Sequence, residues 1–202
     1  MDAFEENIQK KLMPLSNEKK LLFALLVCEK LYPNYLYFQR RCDWGDSNVL
    51  LEALELMYQS LFNSSLFGNR EIEQYMNSVD TVTPDTEDFL DSSVSLALDA
   101  CTAVYSSLNF MLDHDIEHIV AVAVYARDTV YMSIVNRDEL DMNLKGMDAR
   151  VSSDPLMLKE IARQLSVIEE LGNPKNKIIS DELIQNLKRG DAIIDLSVLK
   201  DI

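Results

Sequence analysis

The chain has 202 residues and a mass of 23.1 kDa, enough for one domain with a sizeable core. Apolar residues make up 48% and charged residues 26%, while Gly and Pro number five each, which argues against a turn-rich all-β sandwich and for long helices. The net charge of −15, from 34 acids against 19 bases, repels phosphate backbones and anionic membrane surfaces; the bases cluster no further than the doublets Lys10-Lys11, Lys19-Lys20, Arg40-Arg41 and Lys188-Arg189, so neither nucleic acid nor membrane is an expected partner.

Residues 3–13 read as a short helix that stops before Pro14. Ser16 or Asn17 caps a second helix to residue 31, with Leu21, Leu22, Leu25 and Leu26 on a wide inner face. Pro33 is predicted to end that helix and to open another over 33–43. Gly45 suits a left-handed helix end, and Asp46 or Ser47 caps a helix to about residue 62 with Leu50, Leu54, Met57 and Leu61 at helical spacing. A mixed helix follows over 69–79. The acidic stretch 81–88, with Pro84, reads as a crossover between two helical layers of a single domain, roughly 1–80 and 91–202.

From 92 to 112, Val94, Leu98, Cys101, Tyr105, Leu108 and Leu112 form a core-facing seam. The opposite stripe, Ser92, Ser95, Asp99, Thr102, Ser106 and Asn109, suits either a close helix crossing or a hydrated groove. Residues 119–125 are β-branched enough for a strand. The segment nevertheless continues for about twenty residues without a turn signal, and Asp113 or Asp115 with Glu117 resembles a helix start, so a buried helix is predicted over 116–135. Residues 136–153, which hold Gly146, are predicted to be a surface loop. Asp154 and Pro155 open a helix to 171, buried through Leu158, Ile161, Leu165 and Ile168, and Gly172-Asn173-Pro174 stops it. Ser180 or Asp181 caps a last helix to Lys188 or Arg189, closed by Gly190. The apolar tail 192–196 is predicted to dock on the body. The fold class is all-α, a single-domain bundle of eight or nine helices.

Cys28, Cys42 and Cys101 are odd in number and lack CxxC spacing, so reduced thiols are expected. The first residues lack the basic and apolar regions of a signal peptide. The run 21–28 is too short to span a bilayer, so a cytoplasmic protein is expected.

Glu29, Tyr32, Asn34 and Tyr35 surround the predicted break at Pro33. They suit a ligand-recognition corner, with a carboxylate and an amide between tyrosine walls, to which Asp46 and Asp99 could contribute. The same residues also suit an architectural turn, in which Asn34 bonds backbone, the tyrosine hydroxyls point outward and Glu29 meets Lys30 or Arg40. Asp99, mid-helix among hydroxyls, requires a partner if buried, and Arg127 is the expected one. His114 and His118, four apart with Glu117, Asp113 and Asp115 nearby, resemble metal ligands, but HExxH order and a third ligand are missing. Glu52 and Glu55 form an ExxE without a second such pair at a convincing distance. With no Gly-rich phosphate loop, GxSxG elbow or Cys/His pair, neither a catalytic residue nor a cofactor is assigned. The expected function is a non-enzymatic binding or scaffold protein, with self-association through an apolar helix face; the alternative is a metal-dependent hydrolase on a helical scaffold.

The run Cys28-Glu29-Lys30-Leu31-Tyr32-Pro33-Asn34-Tyr35, then Phe38, Gly45-Asp46 and Asp99-Ala100-Cys101, resembles the bacterial YjaG-like family, a domain of unknown function. Glu117-His118 falls where family members carry a similar pair. Lys30 and Trp44 depart from the family pattern, as does the stretch after 135. The resemblance covers roughly 15–190. It implies an all-helical cytoplasmic protein, favours helix over strand for 116–135, and supplies no reaction.

Overall fold

The structure is a computed structural model that describes residues 2–63, 65–141, 145–188 and 193–196. Nine α-helices and no strand occur among them: α1 (Ala3–Leu12), α2 (Asn17–Cys42), α3 (Ser47–Phe62), α4 (Asn69–Thr81), α5 (Ser93–Asp113), α6 (Ile116–Asp138), α7 (Met147–Ser152), α8 (Pro155–Gly172) and α9 (Asp181–Leu187). One continuous apolar cluster runs from Ile8 to Ile194, so the bundle is a single domain.

The longest helix corrects the predicted break. Pro33 lies inside α2, which runs on to Cys42, so no corner forms there. An interior proline costs a helix about 3 kcal/mol. Leu31, Tyr35 and Phe38, on the turns either side, are fully buried, and each such side chain contributes about 1.5–3 kcal/mol. Burial outweighs the lost hydrogen bond. The helix stops instead at Asp43, left-handed at φ 49°, two residues before Gly45 at φ 86°.

Helix α5 packs most extensively on α2, then on α6 and α4. Its buried Ala97, Ala100 and Ala103 let neighbouring backbones approach. The predicted seam holds at Val94, Cys101 and Leu108, whereas Tyr105 turns to solvent. Ser107, outside that seam, is fully buried and satisfies its hydroxyl by donating to the Ala103 carbonyl at 2.8 Å. Cys28, Cys42 and Cys101 are unpaired; burial pushes the Cys28 and Cys101 thiols up to about 12, so neither is a nucleophile at neutral pH.

The 116–135 segment is helical, because burial of Ile119, Val120, Val122, Val130 and Ile134 against neighbouring helices overrides strand propensity. By length and composition α6 could cross a membrane; here it packs against α5, α2, α8 and α1. The predicted loop over 136–153 is corrected at both ends: α6 continues to Asp138, and α7 forms around the buried Met147 and Val151. Residues 142–144 lie outside the described residues.

Asp154 caps α8 by accepting from the Leu156 N–H at 2.8 Å, with Pro155 in the first turn. The predicted face holds at Ile168, with Ile161 and Leu165 partly buried against the core, and fails at Leu158. Leu158 is 54% exposed, and Met157, Glu160, Gln164, Val167, Ile168 and Leu171 point inward. Apolar residues occur on two overlapping stripes of α8, so periodicity alone does not choose between them. Packing against α6 chooses the stripe that carries two polar residues. Ser180 caps α9 through the Leu183 N–H at 3.2 Å. The predicted end at Arg189 and the closing Gly190 lie outside the described residues, as does Ala192, while Ile193 and Ile194 are buried on the body.

Candidate functional site

Tyr35 is fully buried, which corrects the expectation of an outward hydroxyl. The hydroxyl donates to the Val82 carbonyl at 2.8 Å and accepts from the Asp46 N–H at 3.3 Å. Burial pushes this phenol's pKa far up. Gly45 lies against it, since a Cβ there would be 2.2 Å from the hydroxyl oxygen. The Asp46 carboxylate accepts from the Asn48 N–H at 3.0 Å and caps α3. Edge contacts at 5.0–6.0 Å among Phe38, Trp44 and Phe89 flank the joint. One hydroxyl thus ties α2 to the start of α3 and to the end of α4.

Glu29 reaches across to the far end of the chain. It pairs with Lys188, beyond α9, at 2.9 Å, and the Lys188 ammonium stands 4.1 Å from the centroid of the Tyr58 ring. Burial first, and the nearby Glu29 carboxylate second, push the Tyr58 phenol up. Tyr32 packs half-buried on the core. Asn34 is 2% exposed, and its Nδ2 has no hydrogen-bond partner among the described residues.

Asp99 accepts from the Thr129 hydroxyl at 2.8 Å across the α5–α6 seam, rather than from Arg127. Arg127 is held by Asp2 and Asp128 and lies over the Phe4 ring, and so pins α1 to α6. Among the described residues no hydrogen bond or ion pair joins Asp99 to Glu29, Tyr32, Asn34 or Tyr35. Without a cation, burial pushes the Asp99 carboxyl up to about 7; the Thr129 hydroxyl opposes this and the Asp128 charge adds to it.

The folded pKa of Asp99 exceeds the ordinary unfolded value of about 3.9, so its stabilising contribution is complete below that pH and lost as pH rises through about 7. Thermal melts of Asp99→Asn against wild type should show the difference moving in the variant's favour by about 2 kcal/mol from pH 5 to pH 8, a figure discounted for solvent reaching the carboxyl. A constant difference across that range would contradict the buried acid.

The histidine cluster is dispersed. His114 is not on α6 but is the left-handed C-cap of α5, at φ 59°, so it and His118 do not share a helical face. The His114 Nδ1 lies 3.0 Å from the Phe110 carbonyl oxygen, the His118 Nε2 lies 3.0 Å from the Asp113 carboxylate, and Glu117 accepts from the Gln9 amide. Among the described residues no three His, Cys, Asp or Glu side chains are placed to hold a metal ion. Glu52 and Glu55 are exposed, and Glu55 accepts from Gln59 at 3.0 Å.

A cleft of about 330 Å³, unforeseen from the sequence, opens where α2 and α4 begin and α5 ends. Leu21, Ile72 and Phe110 form its apolar floor, Phe67 and Met111 its walls, and Asn17, Glu18, Asn69 and His114 its polar edge. The Glu18 carboxyl is held below its usual range, first by its own N–H, then by the Ser16 hydroxyl beside it, with the His114 imidazole adding to the effect against modest burial.

The sequence model of the family described as "Protein of unknown function (DUF416)" matches residues 7–195. The chain belongs to the DUF416 family. The uncharacterized protein YjaG of Escherichia coli K12 is 25% identical over 184 residues, covering 90% of this chain and 89% of that protein. YjaG of Salmonella typhimurium LT2 is 24% identical over the same shares. The crystal structure of a DUF416 family protein from Shewanella baltica OS155 superposes with a TM-score of 0.78 at 30% identity, covering 93% of this chain and 92% of that one. The expected YjaG-like membership is correct, and it extends beyond the anticipated 15–190.

Within this DUF416 chain, the residues that carried the resemblance have identifiable physical tasks. Tyr35, Gly45 and Asp46 build the joint between α2 and α3, and Cys101 places its sulfur 3.8 Å from the Val82 carbonyl that Tyr35 also binds. Two features escaped sequence reading. The cleft draws its lining from residues as distant as Asn17 and His114, and no local pattern links them. The buried pair Glu160 and Gln164 did carry a signal, as two polar residues four apart beside Arg163.

Proposed function

We propose that this DUF416 protein is a non-enzymatic, cytoplasmic binding protein that holds a small, partly apolar molecule in the cleft edged by Glu18, Asn69 and His114. The observation that carries this reading is the cleft itself, with a buried apolar floor, a few polar groups at the edge and a volume within the usual range of ligand sites. The polar residues singled out elsewhere have structural partners: Glu29 has Lys188, Asp46 caps α3, and Tyr35 holds Val82. This distribution supports binding over metal-dependent hydrolysis, which requires converging donors.

The test is a titration with the fluorescent apolar probe N-phenyl-1-naphthylamine. Wild type should bind it saturably at one site per chain. Asn69→Trp, an exposed edge position, should weaken binding about tenfold, whereas Leu158→Trp on α8 should leave it unchanged. Absence of a saturable site, or indifference to Asn69→Trp, would overturn the reading.

A further inference from the structure

We infer that the molecule this cleft takes is an organic cation, an amine carried on an aromatic or branched apolar body; the inference rests on the cleft being the binding site. Among the described residues lining it there is no Lys or Arg, and Glu18 is its carboxylate. The helix ends at the cleft do not reverse that sign. α2 and α4 present the positive ends of their dipoles, but each carries an acid in its first turn, Glu18 and Glu71. α5 ends at the cleft, and the carbonyls of its last turn form a negative end.

His114 stands at the same edge. Its Nδ1 faces the Phe110 carbonyl oxygen at 3.0 Å, and the ring packs edge-on against Phe110 at 5.6 Å. The edge therefore offers a carboxylate to a donor group, while Phe67 and Phe110 supply aromatic surface for the apolar body and its charge. The net charge of −15 raises the local concentration of cations and repels anions before contact. A carboxylate ligand would face the Glu18 carboxylate, with no Lys or Arg in the described lining to offset it, and would be selected against.

The experiment displaces N-phenyl-1-naphthylamine with three ligands of one shape: 3-phenylpropylamine, 3-phenylpropanol and 3-phenylpropionate. The amine should compete up to about fivefold better than the alcohol, the gain available from one partly exposed ion pair, and about tenfold better than the carboxylate. The preference should shrink as salt is added. Glu18→Gln should erase it while leaving the alcohol unaffected. Equal or better competition by the carboxylate, or an amine preference that survives Glu18→Gln, overturns the cationic assignment. In that case competition by the alcohol that is lost in Asn69→Trp would still uphold the cleft as a site. If none of the three competes with the probe, both the assignment and the cleft reading fail.

Discussion

Gly45→Ala should destabilise the fold by about 2–5 kcal/mol, seen as a lower urea midpoint at unchanged slope. Two independent effects add. The backbone at Gly45 has φ 86°, where an L-residue costs about 1–2 kcal/mol. The new Cβ would also lie 2.2 Å from the Tyr35 hydroxyl oxygen, with backbone on one side and a fully buried ring on the other. Relief requires the hydroxyl to leave the Val82 carbonyl, and a buried acceptor without its donor costs about 1–3 kcal/mol. Tyr35→Phe removes the hydroxyl by itself and should cost about 1–3 kcal/mol. The double variant should be less unstable than the two single losses combined, because the collision no longer occurs. Strict additivity, or a Gly45→Ala cost below about 1 kcal/mol, would show that this joint does not hold the three helices together.

Arg163→Met should cost about 3 kcal/mol, at the low end for breaking a buried ion pair. Glu160 is 3% exposed and accepts from the Arg163 Nε at 2.7 Å and from its Nη2. Without the guanidinium, the carboxylate keeps only the Gln164 Nε2 at 2.8 Å. Gln164 cannot supply more, because the same nitrogen donates to the Ala123 carbonyl of α6 at 3.1 Å. The double variant Glu160→Gln/Arg163→Met should recover much of the loss, since no buried charge is left unpaired. A double variant no more stable than Arg163→Met alone would place the origin of the loss in the packing of the arginine stem instead.

Much of the fold could be read from short-range patterns. Asp154-Pro155 marked the start of α8 and Gly45 the left-handed turn after α2, because caps and turns depend on neighbours within about four residues. The same patterns failed where a local penalty met a larger tertiary gain. Proline chemistry alone predicts a break at Pro33, yet the burial of Leu31, Tyr35 and Phe38 keeps the helix continuous. Two overlapping apolar stripes on α8 left its inner face undetermined until α6 supplied the Ala123 carbonyl for Gln164. The candidate residues themselves were visible in the sequence; their partners were not.

From the amino acids alone came an all-helical domain, the positions of most helix ends, an acidic surface and kinship with a family, all consequences of composition and of interactions within a turn or two of chain. Tertiary structure alone decided that Tyr35 reaches Val82 across 47 positions, that Lys19 caps the end of α8 at Leu171 across 152, and that Asp99 meets a hydroxyl instead of a guanidinium. The cleft belongs to the same class. Asn17, Asn69 and His114 sit on separate elements and share an edge only after the core has formed, because burial is indifferent to sequence distance while helix propensity is confined to it.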